Sequence, residues 1–135
     1  MAGTRNNYFR TSDDAILYFE DHSPEKGSPI VLVPGFCCNT RFFENNLEAL
    51  AKTHRVISFD PRGQGYSSKG LQGHTIARNC QDIKELAEKW WPEAAVNAPY
   101  TESYPFEYGG HVFFHVFADE FNEKLLKFVD GLDAK

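Results

Sequence analysis

The chain has 135 residues, of which 41% are hydrophobic and 24% charged, a composition typical of a folded globular domain rather than of a disordered segment. A net charge of −5 and scattered Lys and Arg residues exclude a basic stripe, so no nucleic-acid partner is expected. No apolar run is long enough to cross a membrane, and residues 1–7 do not resemble a secretory signal. Three cysteines, two of them adjacent, fit neither a disulfide framework nor a metal pattern, so we expect a cytoplasmic protein without membrane contact, metal or cofactor.

The chain begins with a pattern typical of a β-hairpin over residues 8–20, with a polar turn at residues 12–14. The apolar run Ile30–Val33 follows and has no polar alternation, which is typical of a parallel strand covered on both faces.

A helix comes next, capped by Asn39 or Thr40 and extending to about Lys52, and residues 56–59 form another apolar strand. A strand, a helix and a strand within about 30 residues predict a βαβ unit, whose crossover is nearly always right-handed. The Gly- and Pro-rich residues 61–74 are predicted to form a loop.

From Thr75 onward, apolar residues recur every three or four positions and predict an amphipathic helix. Its inward face would consist of Ile76, Cys80, Ile83, Ala87 and Trp90. Residues 91–103 contain prolines and no sustained period, and Tyr104–Tyr108 is a weak strand candidate because Pro105 fits only an edge strand or a strand start. A final helix is predicted with Asp119 as its cap and with inward residues Phe121, Leu125, Phe128 and Val129.

Two motifs follow the two apolar strands. The first is Pro34-Gly35, after the strand at residues 30–33, where glycine would permit an unusual backbone conformation and a close approach to a ligand. The second and more specific string is Asp60-x-Arg62-Gly63-x-Gly65-x-Ser67. With these motifs in this order, the first 90 residues resemble the first half of an α/β-hydrolase-fold protein, in the group of single-domain esterases, epoxide hydrolases and haloperoxidases.

The resemblance assigns roles to both motifs. It implies that the loop after the first apolar strand supplies an oxyanion-hole N–H group, from Phe36 with Cys37 beside it. The same turn could equally serve shape alone, and the sequence leaves both readings open. The resemblance also implies that Gly35, Asp60, Arg62, Gly63 and Gly65 are structural turn residues. Accordingly, Asp60 is not expected to be the catalytic acid, Ser67 is not expected to be a nucleophile, and Asp82 is expected on the surface or in local bonding.

The segment Gly109-Gly110-His111 resembles the end of the family's fold, where a histidine after the last strand acts as general base. His111 is therefore the residue to which the resemblance assigns that role. His115 lies four residues later, but no third ligand with suitable spacing accompanies it, and a metal site is not expected. Glu107 and Asp119 are the nearest acids in sequence, and neither occupies the position of the family's catalytic acid.

The family's nucleophile lies in a G-x-S-x-G elbow between a strand and a helix, and the sequence contains no such elbow. Gly65–Gly70 comes nearest, and Lys69 breaks the pattern. Replacing Ser by Cys or Asp in the search finds no match either. The sequence therefore predicts a single domain over residues 1–135 that is internally truncated. Its parts would be an N-terminal half at 1–90, a junction at 91–103, and a C-terminal strand, histidine loop and helix at 104–135.

The predicted fold is a partial α/β-hydrolase fold, with a mostly parallel sheet of about five strands flanked by helices. The family's strand order, 1-2-4-3-5-6-7-8, would leave the strand at 30–33 as an apolar edge. We expect the segment 104–108 to pair beside this strand; alternatively, a second copy of the chain, or another chain, would cover the edge. If the segment 104–108 did so, His111 would lie close to Phe36 and Cys37.

Three functions remain open from the sequence. The first is a hydrolase ancestrally acting on an ester, lactone or epoxide with an apolar moiety, catalytically incomplete here. The second is a non-catalytic module that binds a partner or results from a deletion. The third is a dioxygenase-like enzyme without a cofactor, in which His111 deprotonates a small apolar substrate and an orienting acid is still needed.

Overall fold

The computed structural model describes residues 5–26, 29–90 and 113–133. Within these ranges, four strands form one sheet and helices pack on both of its faces. The strands are β1 (Arg5–Arg10), β2 (Ile16–His22), β3 (Pro29–Leu32) and β4 (Arg55–Phe59). The helices are α1 (Glu44–Ala51), α2 (Ile76–Trp90), α3 (Phe113–Val116) and α4 (Ala118–Asp133), and 3-10 turns lie at Pro24–Lys26 and Thr40–Phe43.

The sheet has the order β1-β2-β4-β3, as the family resemblance implies for the first four strands. β1 pairs with β2 and β2 with β4 in antiparallel fashion, whereas β3 and β4 are parallel. The α/β class is confirmed. The described part of the sheet is mixed rather than mostly parallel, because the N-terminal hairpin contributes two antiparallel pairings. The fifth predicted strand, at residues 104–108, lies outside the described residues, as does the junction at 91–103.

The two faces of the sheet carry separate apolar clusters, because successive side chains of a strand point to opposite faces. Leu17, Phe19, Ile57 and Phe59 lie under α2 and contact its Leu86. On the other face, the residues Ile30, Leu32, Phe43, Leu50, Val56 and Phe114 form a cluster against which α4 packs. β3 is thus covered on both faces at Ile30, Val31 and Leu32, as the apolar pattern predicts, whereas Val33 lies beyond the strand and is exposed.

The predicted inward face of α2 is wrong at its N-terminal end. Ile76 is 84% exposed and Cys80 is also exposed, whereas Ile83, Leu86 and Ala87 contact the cluster beneath the helix. The cluster lies under the middle of α2, so the first turn reaches no apolar partner among the described residues. A helical period identifies a face but not how far along the helix that face is covered.

The C-terminal helix agrees with the prediction more closely. Phe121, Leu125 and Val129 pack against the second cluster, with Leu126 beside them. α4 begins at Ala118, so Asp119 lies in its first turn and is not its cap. A carboxylate there is still favourable, because the first turn of a helix exposes unpaired N–H groups. None of the helices in the described ranges combines the length and apolar character needed to span a membrane.

Candidate functional site

The loop after β3 lies at the carboxyl end of the parallel strands. Its Cys38 N–H donates to the Gly35 carbonyl at 3.1 Å, which closes a tight turn around Phe36 and Cys37. Phe36 is 91% exposed and Cys37 is exposed as well. Within the described ranges, neither the Phe36 N–H nor the Cys37 N–H donates a hydrogen bond. Two adjacent backbone N–H groups of this loop therefore have no acceptor among the described residues.

The residue with a left-handed backbone in this loop is Cys37 and not Gly35, the glycine that the sequence singles out. Gly35 is not in the left-handed region, and a Cβ atom there would meet nothing within 4 Å among the described residues. Cys37, in contrast, has φ of 62°, a value that residues with a side chain rarely adopt. Gly35 therefore does not adopt the left-handed conformation that glycine permits, and Cys37 occupies that position instead.

Asp60, which follows β4, joins this loop to the next motif. It is fully buried, and its carboxylate accepts hydrogen bonds from the Thr40 N–H and the Tyr66 N–H, each at 2.7 Å. Gly65 has φ of 47°, and a Cβ atom there would overlap the Asp60 carboxylate. Asp60 thus fixes the start of the helical segment after the loop and the turn at residues 63–67, the structural role that the resemblance implies.

Ser67 is committed to the same framework. Its hydroxyl donates to the Asp60 carbonyl at 2.6 Å and accepts from the Tyr18 N–H at 2.9 Å. The side chain is only 3% exposed. A hydroxyl held between two backbone groups and shielded from solvent is not available as a nucleophile, which agrees with the sequence expectation.

Arg62 ties the motif to α2 through a buried ion cluster. Its guanidinium donates twice to Asp82, at 2.7 Å each, and twice to Asp13, at 2.9 and 3.0 Å. The hydrogen bonds that Arg62 donates to Asp82, and then those to Asp13, raise the pKa of Arg62 above its usual range. In turn, the Arg62 guanidinium holds the pKa of Asp13 below the usual range of an aspartate. Arg62 is therefore charged at any ordinary pH.

Asp82 is 1% exposed, so of its two expected settings the surface position is wrong, whereas local bonding agrees with the contact from Arg78. Besides Arg62 it accepts a hydrogen bond from Arg78, and Arg78 also pairs with Glu85 at 2.7 Å. Burial by itself would raise the pKa of Glu85, but hydrogen bonds from Ser12, Arg78 and Gln81 outweigh it and lower the pKa to about 2. The cluster Asp13, Arg62, Arg78, Asp82 and Glu85, with Ser12, connects the hairpin turn, the glycine loop and α2.

The remaining predicted site residues belong neither to the loop after β3 nor to the Arg62 cluster. Gly109, Gly110 and His111 lie outside the described residues, and so does the expected approach of His111 to Phe36. His115 is half-buried, and its Nε2 lies 3.9 Å from the Glu44 carboxylate. No group of three His, Cys, Asp or Glu side chains in the described ranges has the geometry of a metal site.

One feature has no signal in the sequence. A groove of about 540 Å³ opens between β2 and the flank of α1, and its described lining does not include residues 34–38. Its walls come from distant parts of the chain, among them Tyr18, Arg41 and Tyr66. No local motif could therefore reveal it.

Comparison with known proteins gives consistent results. A sequence model of the α/β hydrolase fold matches residues 28–107. A protein of Azorhizobium caulinodans provisionally named carbamate hydrolase RutD is 33% identical over 75 residues, which are 56% of this chain and 28% of that protein. A non-heme chloroperoxidase of Streptomyces lividans is 32% identical over 79 residues, covering 58% of this chain and 29% of the relative.

Solved structures agree with the sequence relatives. The bromoperoxidase from Bacillus anthracis superposes with a TM-score of 0.58 at 31% identity, over 63% of this chain and 31% of its own. The esterase from Exiguobacterium antarcticum gives a TM-score of 0.59 at 27% identity, with 63% and 31% covered. The chain thus spans less than a third of the length of each of these relatives.

Proposed function

Because this chain belongs to the α/β hydrolase fold family, we propose that it carries the oxyanion-binding half of a hydrolase active site. The ancestral reaction would be hydrolysis of an ester, lactone or epoxide with an apolar moiety. Within these 135 residues the catalytic machinery is incomplete. The observation that carries this proposal is the pair of adjacent backbone donors, Phe36 N–H and Cys37 N–H, which make no hydrogen bond within the described ranges.

Such donors have a defined use in hydrolysis. Attack on a carbonyl or an epoxide places negative charge on an oxygen, and fixed N–H groups stabilise that charge more in the transition state than in the ground state. Asp60 supports the arrangement, since its hydrogen bond to the Thr40 N–H holds the chain where the loop enters its helical segment. The loop is therefore fixed at its carboxyl end before a substrate arrives.

The proposed active site is incomplete because it lacks a nucleophile. The sequence has no G-x-S-x-G elbow, and the serine that lies nearest to such a pattern, Ser67, is held by Asp60 and Tyr18. His111 stays a proposed general base, assigned by resemblance. A general base and an oxyanion site can bind a ligand that carries a negatively charged oxygen. Without a nucleophile, however, they cannot form an acyl-enzyme.

The expected substrate is small and partly apolar. Phe36, 91% exposed beside the two donors, offers an aromatic surface to an acyl or ring group. The relatives are named for different activities: carbamate hydrolase, chloroperoxidase and esterase. Because these names differ, they do not favour one particular substrate. We also propose a cytoplasmic location, since Cys37, Cys38 and Cys80 are all free thiols.

The test is an NMR titration of the 135-residue chain with methylphosphonate, a small tetrahedral oxyanion. We expect the Phe36 and Cys37 amide signals to shift, and dimethyl methylphosphonate, its neutral diester, to leave them in place. Phe36→Pro removes one donor and should abolish the response, whereas Phe36→Leu keeps the N–H and should preserve it. Equal shifts with both compounds, or an unchanged response in Phe36→Pro, would overturn the proposal.

A further inference from the structure

The groove beside α1 is separate from the oxyanion loop. Glu44 and Leu47 line it from one flank of α1, whereas Asn46, on another flank of the helix, donates to Asn122 of α4 at 2.8 Å. Tyr18 and Glu20 of β2 form the opposite wall. The volume of about 540 Å³ lies within the range of small-molecule sites.

The charge of the groove is negative. Three carboxylates line it, from Glu20, Glu44 and Asp60, against the single guanidinium of Arg41. Glu20 is held in place, because its carboxylate accepts from the Tyr18 hydroxyl at 2.9 Å and lies 3.3 Å from His22 Nε2. The nearby His22 imidazole lowers the pKa of Glu20 and outweighs burial, which would raise it, and the hydrogen bond from Tyr18 lowers it further, so this carboxylate is ionised near neutral pH. The Glu44 side chain is more exposed, and its carboxylate lies 3.9 Å from His115 Nε2.

Two tyrosine rings complete the wall. The Tyr18 and Tyr66 rings have centroids 5.0 Å apart and planes 64° apart, so they meet at an angle and do not stack flat. Tyr66 is 71% exposed, which leaves much of its ring open to a ligand. The electron-rich face of an aromatic ring attracts a cation, most strongly one that is poorly hydrated, such as an alkylated ammonium.

From this combination we propose that the groove binds a small organic cation of the alkylated ammonium class, free in solution. The carboxylates of Glu20 and Glu44 supply the charge, and the Tyr66 ring contacts the alkyl groups. A neutral ligand of the same shape gains nothing from the carboxylates, and an anion is repelled by them. Arg41 opposes binding, because its positive charge lies on the same wall.

The test uses the 135-residue chain and two isosteric probes, choline and the neutral 3,3-dimethylbutan-1-ol, followed by NMR. Choline should shift the signals of Tyr66 and Glu44 with a saturating curve, and the neutral alcohol should not. Equal shifts with both probes, or choline shifts confined to other residues, would overturn the proposal.

Charge variants sharpen the test because two of them act in opposite directions. We expect Glu44→Gln to weaken choline binding and Arg41→Gln to strengthen it, each by roughly three- to fivefold. Glu48→Gln is the matched control, since Glu48 is an exposed carboxylate on the same helix that does not line the groove. Equal weakening by Glu44→Gln and Glu48→Gln would show a general charge effect and would contradict the assigned site.

Ring variants test the aromatic contact separately. Tyr66→Phe keeps the ring and should bind choline as the parent chain does, whereas Tyr66→Ala should bind roughly threefold more weakly. The Tyr66 backbone N–H, which donates to Asp60, is present in both variants. Equal affinity of the two variants would remove the ring from the site and would overturn that part of the proposal.

Discussion

At the scale of single residues, one buried carboxylate organises the candidate site. Asp60 accepts one hydrogen bond from the segment after the loop that follows β3 and one from the glycine turn, so both motifs depend on the same side chain. Gly65 makes this contact geometrically feasible, since any Cβ atom would overlap the carboxylate. The motif Asp60-x-Arg62-Gly63-x-Gly65-x-Ser67 therefore needs glycine at position 65 for a steric reason in addition to its φ of 47°.

Gly65→Ala should lower the free energy of unfolding by about 2 kcal/mol or more, because the left-handed backbone and the overlap with Asp60 both oppose it. Urea denaturation followed by circular dichroism measures the change. Gly70→Ala is the matched control, since a Cβ atom at position 70 meets nothing within 4 Å among the described residues. Equal midpoints for the two variants would contradict the steric account.

At the scale of elements, the Arg62 cluster fixes α2 to the hairpin turn and the glycine loop. Arg62 and Asp82 are both nearly inaccessible to solvent, and Arg78 adds a second cation next to Asp82. A buried ion pair adds little stability compared with an apolar pair, but removing one partner leaves a buried charge without compensation.

Asp82→Asn should therefore destabilise the fold by about 3 kcal/mol, because Arg62 and Arg78 both lose their shared carboxylate. The urea midpoint is again the measurement. Glu88→Gln, an exposed carboxylate on the same helix that pairs with Lys84, should change the midpoint by less than about 0.5 kcal/mol. A comparable loss in both variants would show that the buried cluster has no special role.

Because Glu85 belongs to the Arg62 cluster, we expect the free energy of unfolding to depend on pH. The folded-state pKa of Glu85 is lowered to about 2, below the value of about 4.3 expected in the unfolded chain. Its contribution to stability is therefore complete above pH of about 4.3 and is lost as the pH falls toward 2. Urea midpoints over this range should fall less steeply for Glu85→Gln than for the parent chain, and parallel curves would contradict the prediction.

The sequence predicted most elements and missed the contacts between them. The apolar period located the hairpin, the βαβ unit and α2, because those signals are local. The burial of Asp82 could not be predicted, since it depends on Arg62, 20 residues away in sequence. The groove beside α1 could not be predicted for the same reason, because distant segments form its walls.

At the scale of the whole molecule, β3 is the edge of the described sheet, with apolar residues at its end. Val33 is 51% exposed and Phe36 is 91% exposed. An edge strand offers unpaired backbone groups to another strand. We propose that a second copy of this chain covers the edge, and the concentration dependence of association tests it.

Sedimentation velocity should show self-association of the parent chain, and Val33→Lys should reduce it, because a charge beside β3 disfavours strand pairing. Leu71→Lys is the control, since Leu71 is 98% exposed and lies in the glycine loop away from β3. A monomer at all concentrations, or equal effects of the two variants, would contradict the proposed pairing.

We propose that these 135 residues carry an oxyanion site without a nucleophile, and a fluorophosphonate probe, which reacts with an activated serine, tests the missing nucleophile most directly. Intact mass spectrometry of the chain after incubation should show no adduct, while the esterase from Exiguobacterium antarcticum, treated in parallel, serves as the positive control. An adduct on any serine of this chain, with Ser67 the first to inspect, would contradict the account.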